Sequence, residues 1–174
     1  MIVAPVRILG VDPGSLRAGW ALVSGTAARP ELSACGEIVL PGAWAFETRL
    51  ARLHDELAQV VAATAPTHAA VEAPFHGISA RSALQLAHAR GVALAVLGGA
   101  KVPVSEYAPA TIKKAVTGQG RAEKSQVSMM VRSIVRQPEA SLREDISDAV
   151  ATALCHLFRM GWETRLSPGI ARAM

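Results

Sequence analysis

Apolar and polar positions change period several times along the chain, and each change marks an element. Residues 6–12, Val6-Arg7-Ile8-Leu9-Gly10-Val11-Asp12, form a mostly apolar, β-branched run halted by Pro13-Gly14, which predicts a strand and a turn. Gly19–Ser24 and Leu32–Leu40 predict two more strands, joined through residues 26–30. Three strands with short connections imply an antiparallel meander. From Phe46 to Ala63 the period becomes helical, because Phe46, Leu50, Leu53, Leu57, Val60 and Val61 recur at three- and four-residue spacing and make one stripe. His68–Pro74 reads as a short buried strand, Ser79–Leu97 as a helix capped by Ser79, and Val102–Tyr107 as a fifth strand. Pro109 suits the first turn of a helix ending near Gly118. The hinge Gly118-Gln119-Gly120 precedes a helix over Glu123–Arg136, and the capping-box pattern Ser141-x-x-Glu144 opens a last helix to about Met160. The tail from Trp162, with Pro168-Gly169, is expected to be disordered, which leaves one domain over residues 1–161.

This order predicts an α/β layer fold on a mixed five-stranded sheet flanked by helices. The meander, and the lack of G-x-G-x-x-G after the first strand, argue against a doubly wound dinucleotide fold. The helix over Ser79–Leu97 carries Leu84, Leu86, Ala87, Val92, Leu94, Val96 and Leu97, which spread beyond the single stripe that packing on a sheet requires. A second apolar face of that kind suits either a two-fold copy of itself or cover by the later helices.

The chain has 174 residues, 51% hydrophobic and 18% charged, enough for a core that needs no disulfide or structural metal. Cys35 and Cys155 show no C-x-x-C spacing and are expected to be buried thiols. The longest run free of charged and polar side chains, Gly91–Ala100, is half the roughly 20 residues a membrane span needs. The N-terminal residues lack the pattern of a secretory leader, so a cytoplasmic protein is expected.

Net charge is +4, but it is unevenly spread. Between His76 and Arg136 nine basic residues face two acids, a net +7, while the remainder carries −3. A basic stretch beside acids suits a polyanionic substrate handled with divalent metal. Four acids stand out. Asp12 ends the first strand, and Glu72 interrupts the apolar run Ala69-Ala70-Val71-Glu72-Ala73. A carboxylate buried alone costs several kcal/mol, so such an acid is paired, protonated or bound to metal. Asp145 and Asp148, three apart, project from one helical face near the positive end of the helix dipole. Carboxylates without a His or Cys ligand set favour Mg²⁺ or Mn²⁺, and two such ions suit phosphodiester hydrolysis.

Leu9-Gly10-Val11-Asp12-Pro13-Gly14-Ser15, Glu72-x-x-Phe75, Ala89-Arg90-Gly91, Ala122-Glu123-Lys124-Ser125-Gln126-Val127 and Asp145-x-x-Asp148-Ala149 together resemble the RuvC-type crossover junction endodeoxyribonucleases. The resemblance runs from about Arg7 to Phe158. It implies an RNase H-like fold, a homodimer, two Mg²⁺ per active site with Mn²⁺ as a substitute, and paired nicking of four-way (Holliday) junctions in recombination and repair. A branch-migration motor is the implied further partner. The family's catalytic and metal-holding acids fall on Asp12, Glu72, Asp145 and Asp148, its junction-contacting aromatic on Phe75, and its two important lysines on Lys113 and Lys124. Lys114 and Arg81, from the same basic stretch, join the expected DNA contacts. The loop 76–81 lacks the Lys and Asn found there in some members, which bears on junction geometry. Two rival readings are a non-catalytic junction-binding protein, against which the four acids argue, and an actin-like ATPase or sugar kinase. The latter needs two such domains, and this chain supplies one.

Overall fold

The computed structural model describes residues 6–73, 79–136 and 142–166, with side chains up to Trp162. Five strands, β1 (Arg7–Asp12), β2 (Arg17–Thr26), β3 (Arg29–Val39), β4 (His68–Glu72) and β5 (Val104–Tyr107), form one sheet in the order β3-β2-β1-β4-β5. The first three are antiparallel, and β4 and β5 add in parallel beside β1. The helices are α1 (Phe46–Thr64), α2 (Ala80–Gly99), α3 (Pro109–Thr117), α4 (Lys124–Val135) and α5 (Glu144–Leu166).

Because side chains alternate along a strand, β1 buries both of its faces. Leu9 and Val11 pack with Leu53, Leu57, Ala93 and Leu97 of α1 and α2. Ile8 belongs to the opposite cluster, with Val131, Ala149 and Leu154 of α4 and α5. The central strand therefore reads as a continuous apolar run, and charged side chains are tolerated only at its two ends, where Arg7 and Asp12 stand. Gly10 has a packing reason: a Cβ there would meet the Ala149 carbonyl oxygen at 2.0 Å. Its absence lets α5 lie directly on the sheet.

The predicted fold class and all ten elements are present. Ser79 caps α2 by accepting a hydrogen bond from the Ser82 N–H at 3.2 Å. Three expectations shift. α5 continues through Trp162 to Leu166, past the end expected at Met160, and Gly161 lies inside it as a close-approach residue: a Cβ there would lie 2.7 Å from the Ala27 Cβ. The expected disordered tail thus begins inside a helix, and residues 167–174 lie outside the described ones, as does Ser141 of the expected capping box. On α2, Val96 and Leu97 belong to the core and Val92 and Leu94 pack against it, whereas Leu84 (61% exposed), Leu86 and Ala87 face outward. The unpartnered apolar surface is confined to the first half of the helix. Cys35 and Cys155 are free thiols, half-buried and buried. Among the described residues no helix is long and apolar enough to cross a membrane.

A candidate active-site cleft

Strand register assembles the acids. Val11 pairs with Val71 across the parallel ladder, so the next residues, Asp12 and Glu72, end neighbouring strands side by side. On its other flank Asp12 pairs with Gly19 of β2. A Cβ at Gly19 would sit 2.0 Å from the Asp145 carbonyl oxygen, so this glycine admits the first turn of α5 onto the sheet end beside Asp12. Asp148 follows one turn later. Local chain geometry thus brings three elements distant in sequence to one point.

The result is an open cleft of about 460 Å³ whose walls include Asp12, Glu72, Asp148, Lys113 and Lys124. Lys113 comes from α3. Lys124 opens α4, which is held by a reciprocal capping box: the Glu123 carboxylate accepts from the Gln126 N–H, and the Gln126 side-chain oxygen accepts from the Glu123 N–H at 2.9 Å. Lys124 Nζ donates to Glu144 Oε1 at 2.6 Å and lies 3.6 Å from Asp148 Oδ2.

The electrostatics are those of an anionic site short of positive charge. Burial pushes the Asp12 carboxyl up from 3.8 to about 7, and Asp148, Glu72 and Asp145 push the same way against Lys124. Burial also raises Glu72, with Asp148 adding to the rise and Lys124 and Lys113 opposing it. Asp148 is raised by burial, against the pull of Lys124. The hydrogen bond to Glu144 raises Lys124, and the same bond lowers Glu144. Lys124, with Lys113 acting on Glu72, therefore serves several carboxylates and does not offset their burial.

Such a site fits divalent magnesium or manganese in donor chemistry, since hard carboxylate oxygens face a cavity whose lysines leave their raised affinity for protons in place. Among the described residues no three His, Cys, Asp or Glu side chains stand close enough to form a ready-made cage. The fit rests on oxygen donors and on the charge deficit.

Of the expected site residues, the structure gathers Asp12, Glu72, Asp148, Lys113 and Lys124 in the cleft. Asp145 is half-buried and stands outside the cleft lining, although its charge acts on Asp12 and Asp148. Lys114 and Arg81 are exposed and line no part of the cleft. Phe75 lies outside the described residues. Two contributors went unread in the sequence. Gly19, isolated in a strand pattern, was a legible signal of close approach. Glu144, read from the sequence as part of a capping box, holds Lys124 in place.

A family model described as "Crossover junction endodeoxyribonuclease RuvC" matches residues 8–156. A relative of that description from Sorangium cellulosum is 43% identical over 162 residues, covering 93% of this chain and 90% of its own. Among solved structures, T. thermophilus RuvC in complex with a Holliday junction substrate superposes with a TM-score of 0.85 at 30% identity, over 91% of this chain and 97% of that one. The yeast mitochondrial Holliday junction resolvase, 14% identical, shares the fold with a TM-score of 0.62 over 92% of this chain and 80% of its own.

Proposed function

Because the chain belongs to the RuvC family of crossover junction endodeoxyribonucleases, we propose that the cleft between β1, β4 and α5 is where it hydrolyses the phosphodiester bonds of a four-way DNA junction. The observation that carries the assignment is the convergence of Asp12, Glu72 and Asp148 with two lysines at the strand ends of one cleft.

Asp12, Glu72 and Asp148 would hold two Mg²⁺, or Mn²⁺ in their place, with Asp145 contributing from the edge. Bound there, the metal supplies an activated water and neutralises charge on the leaving oxygen. The chain's own residues do the remainder. Lys113 and Lys124 bind the phosphate flanking the scissile bond, because their ammonium groups lie on the cleft wall and that of Lys124 is exposed enough to exchange a carboxylate for a phosphate. Glu144 holds Lys124 at the cleft before DNA arrives. Lys114, Arg81 and the rest of the +7 segment add sequence-independent phosphate contacts outside the cleft. Phe75, two residues beyond Ala73, acts as a wedge among bases loosened at the crossover.

A homodimer places one cleft on each of two opposed strands, so that paired nicks leave ligatable duplexes. The outward Leu84, Leu86 and Ala87 of α2 supply its interface. A branch-migration motor delivers the junction, and the protein works in the cytoplasm. The deciding experiment is cleavage of a fixed four-way junction in Mg²⁺ by wild type and by Glu72→Gln and Asp148→Asn variants. Both variants should bind the junction and fail to cut it, and full cutting by either would refute the assignment.

A further inference from the structure

We propose that Arg49, which the reaction described above leaves unused, is a positioning residue for Asp12: it pins the turn through which the chain leaves the catalytic strand. The proposal rests on the nuclease reading of the cleft.

The buried row of α1 runs Arg49, Leu53, Leu57 and Val61 at four-residue spacing, so a guanidinium occupies a position that periodicity reserves for an apolar side chain. Arg49 is 7% exposed. Burying a cation is unfavourable unless it is paired and hydrogen-bonded, and among the described residues no carboxylate pairs with this one. What it has is one carbonyl and one ring. Its Nη1 donates to the Ser15 carbonyl oxygen at 2.7 Å, its guanidinium carbon lies 5.1 Å from the centroid of the Phe46 ring, and its Nε finds no partner among the described residues.

The carbonyl belongs to the turn Pro13-Gly14-Ser15, which follows Asp12 directly. The turn is tight, since a Cβ on Gly14 would meet the Arg17 carbonyl oxygen at 2.1 Å. It is tethered at successive carbonyls, Ser15 to Arg49 and Leu16 to the Leu40 N–H at 2.8 Å. Arg49 is the only side-chain tether of the two. Arg49 reaches Asp12 through the backbone of this turn, so the link is mechanical. Phe46 extends it: the same ring meets His88 of α2 edge-on, with centroids 5.7 Å apart and planes at 87°. One aromatic thus clamps the guanidinium and seats it against α2.

The test uses the full chain with Arg49→Met, Arg49→Lys and Phe46→Leu, each checked for fold by circular dichroism. Single-turnover cleavage of a four-way junction at saturating protein is compared with junction affinity measured in EDTA. Misplacement of a reacting group by about 1 Å can cost about 100-fold, so Arg49→Met should cut about 30- to 100-fold more slowly with affinity within about twofold of wild type. Arg49→Lys, which keeps a cationic N–H donor for the Ser15 carbonyl, should recover about tenfold of that loss. A cleavage rate for folded Arg49→Met within about threefold of wild type, or a loss of affinity parallel to the loss of rate, would overturn the proposal. Should Arg49→Met not fold, Phe46→Leu decides, with a rate loss of about three- to tenfold at constant affinity expected and an unchanged rate overturning it. A wild-type chain that cuts no junction would instead bring down the nuclease reading beneath it.

Discussion

Replacing Asp12 with Asn should make the metal-free protein more stable while abolishing cleavage. The Asp12 carboxyl titrates near 3.8 when unfolded and near 7 when folded, a rise of about three units caused first by burial and then by Asp148, Glu72 and Asp145. Each unit is about 1.4 kcal/mol, which sets a ceiling near 4 kcal/mol on the destabilisation by the ionised group at pH 8. The cleft is open on one side, and neighbouring acids relax when one charge goes, so about 2 kcal/mol is the expected gain for Asp12→Asn. In a domain of this size that raises Tm by about 4–8 °C. The sign fixes the pH dependence. Between about pH 4 and 7 the folded chain holds the extra proton, so this group's stabilisation is complete below the unfolded value and is lost as pH rises through 7. At pH 5 only about one of the three units has been lost, so the gap between the two proteins should shrink to about a third of its value at pH 8. Thermal unfolding in EDTA at pH 5 and 8 checks this, and Mg²⁺ should raise the wild-type Tm at pH 8 more than that of the variant. An Asp12→Asn protein equal to or less stable than wild type in EDTA at pH 8 would refute the picture of a cleft with uncompensated negative charge.

Other perturbations probe other links. Lys113→Ala or Lys124→Ala should weaken junction binding and reduce the salt slope by about one, as titration of affinity against salt will show, or slow cutting if the ammonium acts at the scissile phosphate. Unchanged affinity, slope and rate in both variants would reduce the lysines to a solvated surface. Gly19→Ala forces a Cβ toward the Asp145 carbonyl oxygen and should cost about 1–3 kcal/mol by denaturant titration, with cleavage lost as α5 moves off Asp12. Leu84→Glu should lower dimer content in sedimentation and paired cutting together while leaving the dichroism spectrum intact, because its side chain is 61% exposed. Phe75→Ala should harm junction cutting more than duplex affinity, measured on matched substrates.

The legible part of the site was the part that violates local patterning. Glu72 in an apolar strand and Asp12 at the end of another conflict with the hydrophobic period around them, and each conflict marked a functional group. The elements were readable for the complementary reason, since β1 is a continuous apolar run closed by a turn signal and α1 keeps an apolar stripe over several turns. What stayed hidden depended on which surfaces meet. Nothing in the order of residues states that Gly19 faces the Asp145 carbonyl, or that Gly161 packs on the turn at Ala27. The spread of apolar residues on α2 was visible, but only packing divides it into Val96 and Leu97 inside and Leu84 and Leu86 outside. A charged substitution at Leu94, which packs against the core, would therefore disturb the fold before it tested an interface.

Arg49 shows how the two kinds of information combine. Written on the helical period, it falls in the row of Leu53, Leu57 and Val61, a conflict of the same type as Glu72. An arginine is easily excused, because its long stem can lie on apolar surface while the head reaches water. Here the residue is almost wholly buried, and the head donates to the Ser15 carbonyl of the turn behind Asp12. The cleft thus gathers negative charge that destabilises the empty protein, and the fold spends a buried cation on holding the adjoining turn. A variant that relieves the first, Asp12→Asn, should gain stability and lose cleavage, whereas one that removes the second, Arg49→Met, should lose cleavage without that gain. The presence or absence of that gain in Tm separates a carboxylate that gathers charge in the cleft from a residue that only positions it.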